Sequence, residues 1–274
     1  MRELPPVHIP LLAEALTRFL AEELRAAGLR RWVVGLSGGI DSAVAAALAV
    51  RATGAEPVEA LALPGPTSSP ESLEHAQLVA EGLGIRLDLL DLGEAARVLA
   101  STLDIREDRL RFGNLLARMR MTTLFDRARR DGALVLGTSN KSEILLGYST
   151  LFGDAAASVQ VLGDVWKTHI VELARFLGTP EVVVAKPPTA DLWPGQTDAG
   201  ELGFDYPTAD PVLYWHHEGG MTRDDLVAAG FPENLVDGVL GAYRRNRFKW
   251  RPIVIARVSS SCINVDRILP RNPR

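Results

Sequence analysis

Gly35-Leu36-Ser37-Gly38-Gly39-Ile40-Asp41-Ser42-Ala43 lies between two segments of opposite character. Before it, Trp32, Val33 and Val34 form an apolar run that reads as a buried strand; after it, the alanine-rich run from Ala43 to Val50 reads as a helix. A strand, a turn of small residues and a helix N-terminus make an anion site, because the free N–H groups of the first helical turn and the macrodipole both favour negative charge. Gly38 and Gly39 let backbone amides approach phosphate oxygens with no Cβ in the way. Ser37 and Ser42 add hydroxyl donors, and Asp41 is suited to hold Mg2+ against the phosphate charge.

Two commoner nucleotide loops do not fit. A Walker A loop needs a lysine, and none lies between Trp32 and Val50; nor is there a G-x-G-x-x-G here. The S-G-G-x-D-S run resembles the pyrophosphate loop of the N-type ATP pyrophosphatases. That resemblance implies cleavage of ATP between the α and β phosphates, giving AMP and pyrophosphate, with the substrate activated as an adenylate.

The surroundings of the loop set the fold class. Residues 11–27 carry apolar side chains at helical spacing; strands are expected at 58–63, 85–90 and 133–137, and helices at 70–83, 94–103 and 114–130. Ser69-Pro70-Glu71 supplies a cap, a proline at the first helical position and an acidic first turn. This alternation predicts an α/β fold, a doubly wound parallel sheet with flanking helices. Ligands of such sheets bind outside the carboxyl ends of the strands, where residues 35–42 and 138–143 both fall. Residues 185–213 are interrupted by Pro187, Pro188, Pro194, Pro207 and Pro211, and 185–206 is expected to be a mobile loop. Beyond it a C-terminal helical extension over 207–274 is expected, with a capping-box helix after Thr222 and a second helix over 234–247, all within a single domain spanning 1–274.

Composition narrows the function classes. The 274 residues are 47% hydrophobic with a formal charge of -4, which offers no electrostatic case for nucleic acid or an anionic membrane. No apolar stretch reaches the ~20 residues of a membrane span, and Met1 to Pro10 lacks the order of a signal peptide. The single cysteine, Cys262, suits a reducing cytoplasm and reads as a packed thiol rather than a nucleophile. The five histidines show no paired metal-ligand spacing, and His216-His217 reads as a surface turn. RNA thiolation, the neighbouring chemistry of the same superfamily, would call for a basic surface and catalytic cysteines; a non-enzymatic nucleotide module would have no need of Asp41 and Glu143.

A second motif is longer: Gly137-Thr-Ser-Asn-Lys-Ser-Glu-Ile-Leu-Leu-Gly-Tyr-Ser-Thr-Leu-Phe-Gly-Asp154. With Asn114-Leu-Leu-Ala-Arg118-Met-Arg-Met and Pro188-Thr-Ala-Asp-Leu-Trp-Pro-Gly-Gln-Thr-Asp198, it makes the chain closely similar to the ammonia-dependent NAD synthetases over roughly residues 10 to 250. The resemblance implies an adenine nucleotide alpha hydrolase-like fold and a homodimer with the dinucleotide bound across the interface. It implies that Gly35, Leu36, Ser37, Gly38, Gly39, Ile40, Asp41 and Ser42 grip ATP together with Thr138, Lys167 and Thr189. Asp41 and Glu143 are the implied Mg2+ ligands, and Asp41 and Lys167 the implied catalytic groups. Asn114, Arg118, Asp154, Phe248 and Lys249 fall on the implied deamido-NAD side. The implied reaction is adenylation of the nicotinate carboxylate of deamido-NAD, then attack of free ammonia to give NAD; the chain has no length for the amidase domain of glutamine-using relatives.

The departures from the family cluster on one side of that reaction. A lysine expected after Thr150 is Leu151, an acid is replaced by Ser158, an Asp-Glu pair has become Asp198-Ala199, and a His-Lys-Arg triplet has become Phe248-Lys249-Trp250. The ATP half is intact while the carboxylate-substrate half has lost charge. The alternative reading is therefore a paralogous ATP-dependent ammonia ligase acting on a different, less anionic carboxylic acid.

Overall fold

The computed structural model describes residues 2–193, 195–250, 253–256 and 258–260. In chain order the elements are α1 (Ile9–Ala27), β1 (Arg31–Gly35), α2 (Ile40–Thr53), β2 (Val58–Ala62), α3 (Pro70–Leu83), β3 (Arg86–Leu89), α4 (Gly93–Thr102), α5 (Arg109–Asp131) and β4 (Ala133–Gly137). There follow α6 (Lys141–Leu146), β5 (Val159–Gln160), α7 (Lys167–Phe176), α8 (Glu181–Val184), α9 (Asp198–Leu202), α10 (Tyr206–His217), α11 (Arg223–Ala228) and α12 (Glu233–Arg245), then a 3-10 turn, Arg247–Lys249. The strands form a five-stranded sheet in the order β3-β2-β1-β4-β5, every pairing parallel. This is the expected doubly wound α/β fold.

The strand order reverses between β1 and β4, so their carboxyl ends open a crevice between helices leaving in opposite directions. The loop 35–42 follows β1 and the segment 138–143 follows β4, which puts both polar motifs in that crevice. Alternation along β1 anchors the sheet on both faces. Trp32 and Val34 belong to the core under α1, α2 and α7, while Val33 packs with Leu61, Val135 and Ala128 of α5 on the other side. Helix α2 is buried nearly all round (Ile40 and residues 42–49), and its alanines let it lie close on the sheet.

A second core lies outside the sheet. Tyr206, Ala209, Val212 and Leu213 of α10, Leu226 of α11, and Val236, Val239 and Leu240 of α12 close on Leu145 and Leu146 of α6 and on Trp166. The sequence reading of Pro207 and Pro211 as breakers needs correction, since both lie within α10. Pro207 sits in the first turn, where its missing N–H has no partner in any case; at Pro211 the burial around it overrides an unfavourable propensity. The His216-His217 pair closes α10 instead of forming a turn: His216 Nδ1 lies 2.7 Å from the Met221 carbonyl and His217 Nδ1 2.9 Å from the Tyr243 hydroxyl. Helix α5 starts five residues before the expected Asn114, because Asp108 caps it by accepting from the Arg111 N–H at 3.0 Å. Cys262 lies outside the described residues, and among those described no helix is long and apolar enough to cross a membrane.

Gly38 adopts φ +76°, and a Cβ there would sit 2.0 Å from the backbone oxygen of Ser72. The loop after β1 therefore touches the start of α3 with no room for a side chain. Gly38→Ala is expected to destabilise the fold by about 1–3 kcal/mol, the cost of a strained backbone, and to abolish measurable ATP binding; urea titration and calorimetry check both.

Candidate active site

A pocket of about 280 Å3 occupies the crevice. Its lining includes Gly35, Leu36, Ser37, Gly39, Ile40, Asp41 and Ser42 after β1, Thr138 and Glu143 after β4, and Asp154, Lys167 and Thr189; Gly38 is not part of it. The loop is held in shape by its own hydroxyls. The Ser42 Oγ donates to the Gly39 carbonyl at 2.9 Å and lies 3.1 Å from the Ser37 Oγ, and the Ser37 N–H points at the Ser42 Oγ at 3.2 Å.

The centre of the site is an ion cluster built from three elements. The Lys167 ammonium donates to Asp41 Oδ2 and lies 3.3 Å from Glu143 Oε1. Its side chain is 6% exposed, against 18% for Asp41 and 16% for Glu143. Lys167 opens α7, where the helix dipole opposes a positive charge, so the two carboxylates must hold it there. Asn140 ties the acids together. Its Nδ2 donates to Asp41 Oδ1 at 2.9 Å, and its Oδ1 accepts the Glu143 N–H at 2.9 Å, forming with Glu143 the capping box that opens α6.

Asp198 enters from the opposite side. It is 4% exposed, its Oδ2 accepts from the Tyr206 hydroxyl at 2.8 Å, and its buried Oδ1 has no hydrogen-bond partner among the described residues. Burial, reinforced by Asp41 and Asp198, pushes the Glu143 carboxyl up to about 8 despite the pull of Lys167. Burial alone would lower the Lys167 ammonium, but Asp41 and Glu143 outweigh it and hold it above its usual range. One ammonium thus serves several acids, and the surplus of negative charge suits a further cation. A hard divalent ion held by one or two protein carboxylates, with phosphate and water oxygens completing its shell, fits Asp41 and Glu143. Among the described residues no group of three or more His, Cys, Asp or Glu side chains is placed to hold a metal by itself.

Support for the cluster comes from the second core. Asp210, fully buried on α10, accepts from the Ser142 Oγ at 2.6 Å through Oδ1, and from the Thr168 N–H at 2.9 Å and Thr168 Oγ1 at 2.7 Å through Oδ2. The Ser142 Oγ in turn accepts the Lys167 N–H at 2.9 Å. One carboxylate therefore fixes the first turns of α6 and α7, and with them Glu143 and Lys167. Sequence reading missed Asp210, Asn140 and Tyr206, and it quoted Asp198 without a role. Asn140-x-x-Glu143 is a legible capping box; Asp210 lies 68 residues from Ser142 and left no local signal.

The expected substrate-side residues are only partly gathered. Asp154 lines the pocket and its Oδ1 accepts the Thr150 N–H at 2.7 Å; Asn114 joins through Thr150, whose Oγ1 donates to Asn114 Oδ1 at 2.7 Å. Arg118, Phe248 and Lys249 are not among the pocket's lining residues. Arg118 is exposed and reaches the Leu151 carbonyl at 3.3 Å, while Lys249 Nζ donates to the Gly147 and Ser149 carbonyls at 2.6 and 2.7 Å. Phe248 is 63% exposed. Trp250 packs edge-on against Tyr243, ring centroids 4.6 Å apart, as part of the second core's aromatic rim.

A family model described as NAD synthase matches residues 12–253. The chain belongs to the NAD synthase family. An NH(3)-dependent NAD(+) synthetase from Chlorobaculum tepidum is 47% identical over 258 residues, 93% of this chain and 92% of its own length. Among solved structures, an NMN synthetase from Francisella tularensis aligns with a TM-score of 0.82 at 28% identity over 93% of this chain and 100% of the other. An NH3-dependent NAD synthetase from Campylobacter jejuni aligns at 0.78 and 28% over 92% and 100%. This NAD synthase family member has the expected adenine nucleotide alpha hydrolase-like fold.

Two outcomes test the electrostatics of the site. Glu143 is raised from 4.5 to about 8 on folding, so between those pH values the folded state holds a proton the unfolded state has released. In chelator, stability is expected to fall as pH rises through that window, and Glu143→Gln to flatten the slope; urea midpoints against pH read this. Asp210→Ala, which leaves the Ser142 and Thr168 hydroxyls and the Thr168 N–H without their acceptor, is expected to cost about 3 kcal/mol or more, with turnover falling at least about tenfold as α6 and α7 lose their common anchor; urea midpoints and steady-state turnover check it.

Proposed function

We propose that this chain is an AMP-forming ligase that converts deamido-NAD, ATP and ammonia to NAD, AMP and pyrophosphate. The observation that carries the reading is the Asp41–Lys167–Glu143 cluster at the mouth of the Ser37–Ser42 phosphate loop. The residue roles follow from position. Backbone amides of 35–42, with the Ser37 and Ser42 hydroxyls, hold the ATP phosphates; Thr138 and Thr189 line the same pocket as further nucleotide contacts. Asp41 and Glu143 would hold Mg2+, which when bound neutralises phosphate charge and assists departure of pyrophosphate.

The substrate carboxylate oxygen attacks the α-phosphorus, the bond from that phosphorus to the α–β bridging oxygen breaks, and pyrophosphate takes the electron pair. Lys167, a cation held in a dry site by Asp41 and Glu143, stabilises the charge that builds on the phosphates. Ammonia then attacks the acyl carbon, the bond from that carbon to the phosphate oxygen breaks with its electron pair leaving on AMP, and the nitrogen releases one proton to solvent. No covalent enzyme intermediate is required, in keeping with the lack of an assigned nucleophile–base pair.

Asn114, Arg118, Asp154, Phe248 and Lys249 form the proposed deamido-NAD side. Arg118 and Phe248, exposed on this chain, suit a dinucleotide held between two copies, so a homodimer is part of the proposal, as is a cytoplasmic setting. Leu151, Ser158, Ala199 and Trp250 are then tolerated replacements. Trp250 is absorbed by packing against Tyr243, and the Ser158 Oγ accepts the Val135 N–H at 3.1 Å beside β4.

The assay is release of pyrophosphate and AMP from ATP, Mg2+ and ammonium, with and without deamido-NAD, followed by mass analysis for NAD. NAD, AMP and pyrophosphate in equal amounts are expected only with deamido-NAD present. ATP binding without turnover of deamido-NAD would overturn the substrate and turn the search to other carboxylic acids.

A further inference from the structure

The pocket is lined by two cations that this scheme leaves unused, Arg120 and Lys186. Among the cations that line it, Lys167 is neutralised within the protein by Asp41 and Glu143. Arg120 is turned to neutral groups, its Nε on the Leu63 carbonyl and its Nη2 on the Ser68 Oγ, both at 3.0 Å. Neither Arg120 nor Lys186 has an ion-pair partner among the described residues, but Lys186 rests on a single acceptor, its ammonium donating to the Ser72 Oγ at 2.9 Å. Ser72 is also the residue whose backbone oxygen lies against Gly38 of the phosphate loop. The unpaired ammonium therefore stands at the edge of the loop that grips phosphate.

Its carrier is placed to deliver it. Lys186 precedes Pro187-Pro188-Thr189, and two residues further on Asp191 adopts φ +50°. Asp191 Oδ2 accepts from the Ser69 N–H at 3.1 Å and from the Ser72 Oγ at 2.9 Å. The segment is thus fastened at both ends to the first turn of α3, with Lys186 and Thr189 facing the same pocket. The Ser72 hydroxyl donates a hydrogen bond to Asp191 and accepts one from Lys186, so the ammonium rests on a neutral hydroxyl that a phosphate oxygen would outcompete as an acceptor.

We propose that Lys186 is a phosphate-binding residue of the reaction, its ammonium passing from the Ser72 hydroxyl to a non-bridging oxygen of the leaving pyrophosphate. The interaction is a charge-assisted hydrogen bond with no proton transfer, and it strengthens as charge accumulates on the departing group. It also gives the 185–206 segment a function: its proximal end adds positive charge to that of Lys167, which is shared with Asp41 and Glu143. This inference rests on the reading of the site as cleaving ATP to AMP and pyrophosphate.

The test uses Lys186→Met and Lys186→Arg in the full chain, with pyrophosphate alone titrated calorimetrically and kcat and KM for ATP measured separately. Lys186→Met is expected to weaken pyrophosphate binding and lower kcat/KM for ATP by about tenfold to a hundredfold, with Lys186→Arg recovering most of the loss. The melting temperature should stay near the parent's; if Lys186→Met does not fold, Lys186→Gln takes its place. Parent-like pyrophosphate affinity in a folded variant, or a loss that arginine does not repair, would overturn the role. A parent protein that releases no pyrophosphate in any substrate mixture would instead overturn the reading beneath it.

Discussion

Removing charges from water is costly unless they are paired, and the cluster of Asp41, Lys167 and Glu143 is where this protein meets that constraint. Each member comes from a different part of the chain: Asp41 from the first turn of α2, Glu143 from α6, Lys167 from the first residue of α7. None is stable alone in its position. Lys167 faces the wrong end of its helix dipole, and Glu143 sits among like charges that drive its carboxyl towards the neutral form. Together they stand in the crevice left by the reversal of strand order, with more acid than the single ammonium can pair.

The same constraint explains why the helical extension is more than a cover. Asp210 lies on α10, within the second core, yet its hydrogen bonds end on the first turns of α6 and α7. Packing of Val212 and Leu213 on one side of α10 sets where that carboxylate stands, and the carboxylate sets where Lys167 stands. Tyr206 in the same helix secures Asp198 at the far side of the pocket. The geometry of the charged cluster beside the sheet is therefore held from outside the sheet.

The legibility of the chain followed the range of the interactions involved. Capping at Ser69 and Thr222, the small-residue turn at 35–42 and the apolar runs of β1, β2 and β4 are local signals, and those elements were readable within a residue or two at their ends. The two-residue strand β5 was invisible because Val159 and Gln160 are strand only by pairing with Leu136 and Gly137. Helix α10 was obscured by Pro207 and Pro211, whose local cost is offset by burial that no window of sequence contains. Among the substituted positions, Trp250 looked like a change of substrate chemistry; its ring is packed on Tyr243.

The sequence by itself determined the α/β class, the small-residue loop after β1 and the family, because those rest on periodicity, on glycines where a Cβ cannot be accommodated, and on motifs contiguous along the chain. The tertiary structure alone decided which charges meet. Asp41 and Lys167 are 126 residues apart, Ser142 and Asp210 68, Lys186 and Ser72 114. A buried ion pair or hydrogen bond depends on distances of a few ångströms between groups that sequence leaves unrelated, and only the packing of helices on the sheet and on one another sets those distances.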